Sequence, residues 1–73
     1  MNIILYKTST CPQCKVVKAK LERKGLPFTE ELDASVIEAR GINNIPTLEV
    51  DGELITNIGD INRWINAQEA NNG

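Results

Sequence analysis

The sequence contains no histidine and only two cysteines, and each scarcity removes a class of explanation. A zinc site draws about four ligands from Cys, His and carboxylate side chains. With no His and no third Cys, such a site would need awkward carboxylates or sharing between two chains, so no metal is expected. Two cysteines are also too few for the disulfide framework of a small secreted domain. Aromatics are sparse: Tyr6, Phe28 and Trp64 are the whole complement. Long apolar runs are missing as well. The N-terminal stretch Ile3-Ile4-Leu5-Tyr6 falls far short of the roughly 20 residues of a membrane span, and of a signal-peptide core. No membrane partner is expected, and with no targeting segment visible the expected location is the cytoplasm.

What is present reads as one small domain over residues 1–73, with a frayed tail from about residue 70. A chain of this size buries only about 60% of its unfolded surface, so its core must be thin. The net charge of −2 hides an asymmetry. Residues 1–27 carry Lys7, Lys15, Lys18, Lys20, Arg23 and Lys24 against Glu22 alone, whereas residues 28–73 carry Arg40 and Arg63 against nine acids. A basic segment can signal nucleic-acid binding. No aromatic is interleaved among these lysines, so a solvated helix face is the better reading and no nucleic acid is expected.

Residues 2–6 are short, apolar and rich in β-formers, which predicts a buried strand. Residues 12–24 switch to helical spacing: Cys14, Val17 and Leu21 share one stripe, while Lys15, Lys18 and Glu22 lie largely off it. Gly25 suits the position just past the helix, and Pro27 prevents continuation. Phe28 to Leu32 reads as a second strand, making a βαβ unit with the first. A short helix follows, capped by Asp33 or Ser35, packed through Val36 and Ile37 and stopped at Gly41. In "TLEVDGELIT", Asp51-Gly52 marks a type I′ hairpin between two strands. A last helix is expected with Asp60 as N-cap and Ile61, Trp64 and Ile65 as its buried face. The fold class is therefore α/β, β-α-β-α-β-β-α, with a four-stranded mixed sheet covered by three helices.

The two cysteines stand in "TCPQCK". A bridge across so small a loop removes little entropy from the unfolded chain, so stabilisation is a poor reason for the spacing. Proline favours the first helical position. With Pro12 there, Cys11 is the N-cap and Cys14 the third helical residue. The Cys11 sulfur then faces unpaired N–H groups and the positive end of the helix dipole, both of which favour the thiolate, the attacking species. Cys14 lies on the core stripe, keeps its proton more readily and reaches Cys11 across one turn. Cys11 is thus read as the nucleophile toward a substrate disulfide and Cys14 as the thiol that resolves the mixed disulfide. Pro46 precedes a strand, an unusual place for proline. It is either an ordinary turn residue or a cis-proline whose neighbouring backbone pairs with an extended substrate.

"YKTSTCPQCKVVKAKLERKG" followed by "IPTLEVDGELI" resembles the glutaredoxins, within the thioredoxin-like fold, over about residues 2–66. The resemblance implies that Cys11 attacks, Cys14 resolves, Pro46 is cis and Ile45 offers backbone hydrogen bonds to the substrate. Pro12, Gln13, Lys7 and Asp60 complete the implied substrate site. The chain departs from the family at Gln13, usually aromatic, and at Thr8, usually Lys, with Lys7 one residue further back. It also has Asn44 in place of the usual Thr before Ile45-Pro46, and Thr56-Asn57 in place of a Gly-Gly pair. Asp60 matches an acid near the glutathione amino group. A glutathione site is therefore only partly present.

Gln13 resembles the redoxins that feed ribonucleotide reductase (the NrdH-redoxins). Their usual Trp-Ser-Gly-Phe is absent, and very small thioredoxin-like proteins of archaea and anaerobes share the hairpin. The expected function is a monomeric dithiol–disulfide oxidoreductase acting on protein or small disulfides. It needs no prosthetic group and takes electrons from glutathione, as reductant or co-substrate, or from thioredoxin reductase. The alternatives are a dedicated donor to ribonucleotide reductase and a non-catalytic binding module.

Overall fold

Strand β1 (Ile3–Tyr6) enters the middle of the sheet and carries the chain toward the cysteines. The computed structural model describes residues 1–68, so the expected fraying from residue 70 lies outside the described residues. After β1 come α1 (Pro12–Arg23), β2 (Thr29–Glu31), α2 (Ala34–Ala39), β3 (Thr47–Val50), β4 (Glu53–Ile55) and α3 (Ile58–Ala67). The strand order is β2-β1-β3-β4. β1 pairs parallel with β2, Leu5 opposite Glu30, and antiparallel with β3, Leu5 opposite Leu48. β3 and β4 form the antiparallel hairpin. The four-stranded mixed sheet with three helices has the element order read from the sequence.

Side chains alternate along a strand, so β1 serves both faces of the sheet. Ile3 and Leu5 join Leu48, Val17 and Leu21 of α1, and Ile61 and Ile65 of α3 in the main core. Tyr6 faces the other way and packs with Ile37 of α2 and Ile42, flanked by Ile4 and Ile45. Val36 is exposed, so Ile37 alone anchors α2 in the core. Trp64 is half-buried and packs against the margin of the main core.

Helix ends follow the side chains available. α1 closes with Gly25 N–H on the Glu22 carbonyl (3.0 Å) and Leu26 N–H on that of Leu21 (3.1 Å), the double bond of a Schellman motif. The motif needs a left-handed residue, which Gly25 supplies at φ +68°. α2 is capped by Asp33, whose carboxylate accepts from Ser35 N–H at 2.9 Å. The cap of α3 differs from expectation. Asn57, not Asp60, holds that place, its Oδ1 accepting from Gly59 N–H at 2.7 Å and Asp60 N–H at 3.4 Å. The helix starts three residues earlier than expected because Asn caps as well as Asp and stands first in the chain. Asp51 and Gly52 both take positive φ, 49° and 91°, as a type I′ turn requires.

Thr47 and Glu49 are also buried, because α2 and the segment after it cover the second face. Glu49 accepts from Tyr6 Oη at 2.8 Å and from Arg40 Nε at 3.1 Å, with Arg40 Nη2 on the same oxygen. Burial pushes the Glu49 carboxyl up, yet the Tyr6 and Arg40 hydrogen bonds and the Arg40 charge outweigh it and hold the pKa below its ordinary value. Burial, then the bond to Glu49, push the Tyr6 hydroxyl up, so it stays protonated and donates.

A carboxylate depressed in the folded state contributes stability that is complete above its unfolded pKa of about 4.3 and lost as pH falls through the folded value. Glu49→Gln is therefore expected to cost about 1–2 kcal/mol at neutral pH, part of the Arg40 share being screened by solvent. The variant should also flatten the acid limb of stability below about pH 4.3, read by urea denaturation across pH. Parallel acid limbs in the two proteins would remove Glu49 from this role.

Candidate redox site

Pro12 is the first residue of α1 and Cys11 its N-cap, at φ −91° and ψ 110°. The Cys14 N–H donates to Cys11 Sγ at 3.1 Å, which satisfies one of the donors left open at the helix start. Cys11 is half-buried, while Cys14 is fully buried on the stripe with Val17 and Leu21. The two sulfurs are bonded to each other across one turn, with Cα atoms 5.3 Å apart. The spacing thus gives one sulfur at the surface facing a helix N-terminus and one behind it in the core. Together they can be closed as a disulfide or opened as two thiols.

Gln13 faces a groove of about 440 Å³ that it shares with Asn43, Asn44, Ile45, Pro46, Thr56, Asn57 and Ile58. The Ile45–Pro46 peptide bond is cis. Among the described residues neither the N–H nor the carbonyl of Ile45 has a backbone partner. The loop is held from behind by Thr47, fully buried, whose hydroxyl donates to the Asn44 carbonyl at 2.6 Å. Asn57, which also lines the groove, spends its Oδ1 on the α3 cap.

Of the residues read as site candidates, Gln13, Ile45 and Pro46 line this groove, and Cys11, Pro12 and Cys14 form the helix start beside it. Lys7 and Asp60 do not line it. Lys7 Nζ lies 3.4 Å from Glu30 Oε1, an oxygen also held by Lys18 at 2.9 Å. The bond from Lys18, opposed in part by burial, keeps the Glu30 carboxyl below its ordinary value, and the same contact pushes the Lys18 ammonium up. Asp60 pairs with Arg63 at 3.0 Å and lines a second groove between β4 and α3. Asn43, Asn44, Thr56, Asn57 and Ile58 were not singled out as groove residues from the sequence. Asn57 carried a signal, since Asn57-Ile58-Gly59-Asp60 has the spacing of an N-cap and its third helical residue. Among the described residues no cluster of three or more His, Cys, Asp or Glu could hold a metal, and no helix is long and apolar enough to cross a membrane.

A family model described as Glutaredoxin matches residues 3–55. Among solved structures, the thioredoxin-like protein BC3987 superposes with a TM-score of 0.68 at 24% identity, covering 84% of this chain and 96% of that one. The glutaredoxin-like protein NrdH-redoxin from Escherichia coli gives 0.68 at 24% identity, covering 86% of this chain and 93% of its own. A glutathione transferase homologue from Sulfitobacter, solved with bound glutathione, gives 0.73 at 20% identity, over 89% of this chain but 36% of the transferase. At these identities the likeness shows the fold. No curated protein matches the chain significantly.

Thr47→Val keeps the side-chain volume but removes the donor to Asn44. It is expected to lower the unfolding free energy by about 1 kcal/mol in urea titration, the loss of one hydrogen bond between the strand and the loop. It should also speed amide exchange over residues 43–45 more than elsewhere. A uniform loss of protection would mean that the hydroxyl does not hold this loop.

Proposed function

The chain belongs to the glutaredoxin family, and on that premise we propose that it is a dithiol–disulfide oxidoreductase working through Cys11 and Cys14. The observation that carries this reading is the Cys14 N–H on Cys11 Sγ at the first turn of α1, with the buried Cys14 sulfur in bonding reach. In the reduced protein that bond and the helix dipole favour the Cys11 thiolate. Cys11 attacks one sulfur of a substrate disulfide, forming a mixed disulfide and releasing the other sulfur as a thiolate. Cys14 gives up its proton and attacks Cys11 Sγ, which closes the Cys11–Cys14 bond and releases the second substrate thiolate. Two electrons pass from the protein to the substrate, whose thiolates take up two protons. Ile45 offers its free N–H and carbonyl to the substrate backbone beside cis-Pro46, and Pro12 and Gln13 shape the near wall.

The electron source is the open choice within this class. Lys7 and Asp60, the two charged candidates, are engaged by Glu30 and Arg63, which weakens a glutathione site. The E. coli NrdH-redoxin is described as having a thioredoxin-like activity profile, and the uncharged groove favours the same for this chain, with thioredoxin reductase as electron source. Donation to ribonucleotide reductase is one form of that reading. The proposal sets the protein in the cytoplasm as a monomer.

Cys11→Ser is expected to abolish disulfide reduction, whereas Cys14→Ser accumulates a mixed disulfide visible as a mass increase. Reductase activity surviving in Cys11→Ser would overturn the mechanism and leave a non-catalytic binding module. With NADPH as final donor, turnover is expected with thioredoxin reductase alone. Turnover confined to glutathione plus glutathione reductase would assign the electron source to glutathione.

A further inference from the structure

We propose that Lys15 is the counter-cation of the Cys11 thiolate, the side chain that holds the attacking sulfur ionised between turnovers. The inference rests on the thiol–disulfide reading above and adds to it a charged residue within one helical turn of the nucleophile.

The Lys15 N–H donates to the Cys11 carbonyl at 3.4 Å, the bond that closes the first turn of α1. Lys15 therefore stands one turn above Cys11 on the same side of the helix, a spacing that sets Cβ atoms about 6 Å apart. Helical side chains lean back toward the N-terminus, so the long Lys15 stem can carry its ammonium to the Cys11 sulfur. Lys15 is exposed, and among the described residues it makes no ion pair.

The rest of the surroundings of Cys11 carry no charge. Thr8, Ser9 and Thr10 lead into it, and Pro12, Gln13 and Cys14 follow it. The groove beside it has no charged side chain in its lining, from either the 43–46 loop or the start of α3. Nearby cations are engaged elsewhere: Lys7 and Lys18 share one oxygen of Glu30 on β2, and Lys20 donates to Asn62 Oδ1 at 2.8 Å. Glu22 lies about two turns beyond Lys15, and Arg23 is in the last turn of α1.

The first turn of α1 contains no acidic residue. A helix dipole favours an anion at this end and opposes a cation. The Cys11 thiolate is the anion that the reduced protein can form there, and its attraction offsets the cost of placing Lys15 so early in the helix. In the disulfide Cys11 has no charge, so the attraction belongs to the reduced protein alone. Two unit charges about 6 Å apart in water change an acid dissociation constant about threefold.

The test is alkylation of the reduced protein by iodoacetamide across pH, with Cys11 read by peptide mass. Wild type is compared with Lys15→Met, Lys15→Arg and Arg23→Met, the last removing the same charge at the far end of α1. Lys15→Met is expected to leave about threefold less Cys11 thiolate below the midpoint, while Lys15→Arg and Arg23→Met match wild type. The rate per thiolate should rise slightly, because a more basic sulfur is the better nucleophile. The difference should shrink in about 1 M salt, where charges are screened beyond about 3 Å. Against dithiothreitol at a pH above the midpoint, Lys15→Met should shift the equilibrium about threefold toward the disulfide. An unchanged thiolate fraction in Lys15→Met, or an equal loss in Arg23→Met, would overturn the assignment and leave Cys11 as nucleophile. A lowered urea midpoint of oxidised Lys15→Met would give Lys15 a structural role and overturn it too. A wild-type Cys11 that ionises like a free thiol would overturn both this proposal and the reading on which it rests.

Discussion

The start of helix α1 is the constraint on which the redox centre depends. β1 delivers the chain from the centre of the sheet, and Pro12 supplies a residue that has no N–H to lose and a backbone preset for the first helical position. The helix therefore begins after Cys11, which sets Cys11 Sγ as acceptor of the Cys14 N–H and turns Cys14 inward beside Val17 and Leu21. Moving the start by one residue would rotate Cys14 by about 100° around the helix axis, off the core stripe. The asymmetry between the two sulfurs is thus a property of the backbone, stabilised by the packing of α1 on β1 and β3.

A second constraint is the thinness of the molecule. The main core lies between the sheet and the pair α1 and α3, and the other face is covered only by the short α2 and the segment after it. A helix of six residues has little stability alone. The Arg40–Glu49–Tyr6 cluster ties its C-terminal end to β3 and β1. The chain that leaves α2 becomes the 43–46 loop, which Thr47 then grips from β3. The cluster on the back of the sheet and the 43–46 loop that leads into β3 are therefore parts of one brace.

Much of this is legible in the sequence where the physics is local. The apolar run gives β1, the Cys14/Val17/Leu21 stripe gives α1, Gly25 gives its end, and Asp51-Gly52 gives the hairpin turn. The cysteines' placement at the N-cap and third helical position follows from Pro12 alone. What escapes is what depends on contacts distant in the chain. Asn57 and Asp60 are both good caps, and local chemistry does not choose between them. The pairing of Glu49 escapes a local reading because its cation, Arg40, is supplied by another element. The groove is assembled from residues 43–46 and 56–58, which are joined only through β3 and β4. Lys7 and Asp60 are legible as charges, but that Glu30 and Arg63 engage them is a tertiary fact.

The central claim is that the helix start makes Cys11, and not Cys14, the thiolate of the reduced protein. The most direct test is the rate of alkylation of each cysteine by iodoacetamide as a function of pH, read by peptide mass after complete reduction. The account predicts that Cys11 reacts first, with a midpoint well below the free-thiol value of about 8.5, and that Cys14 lags at every pH. A Cys11 midpoint at or above the free-thiol value, or a Cys14 that reacts first, would contradict it.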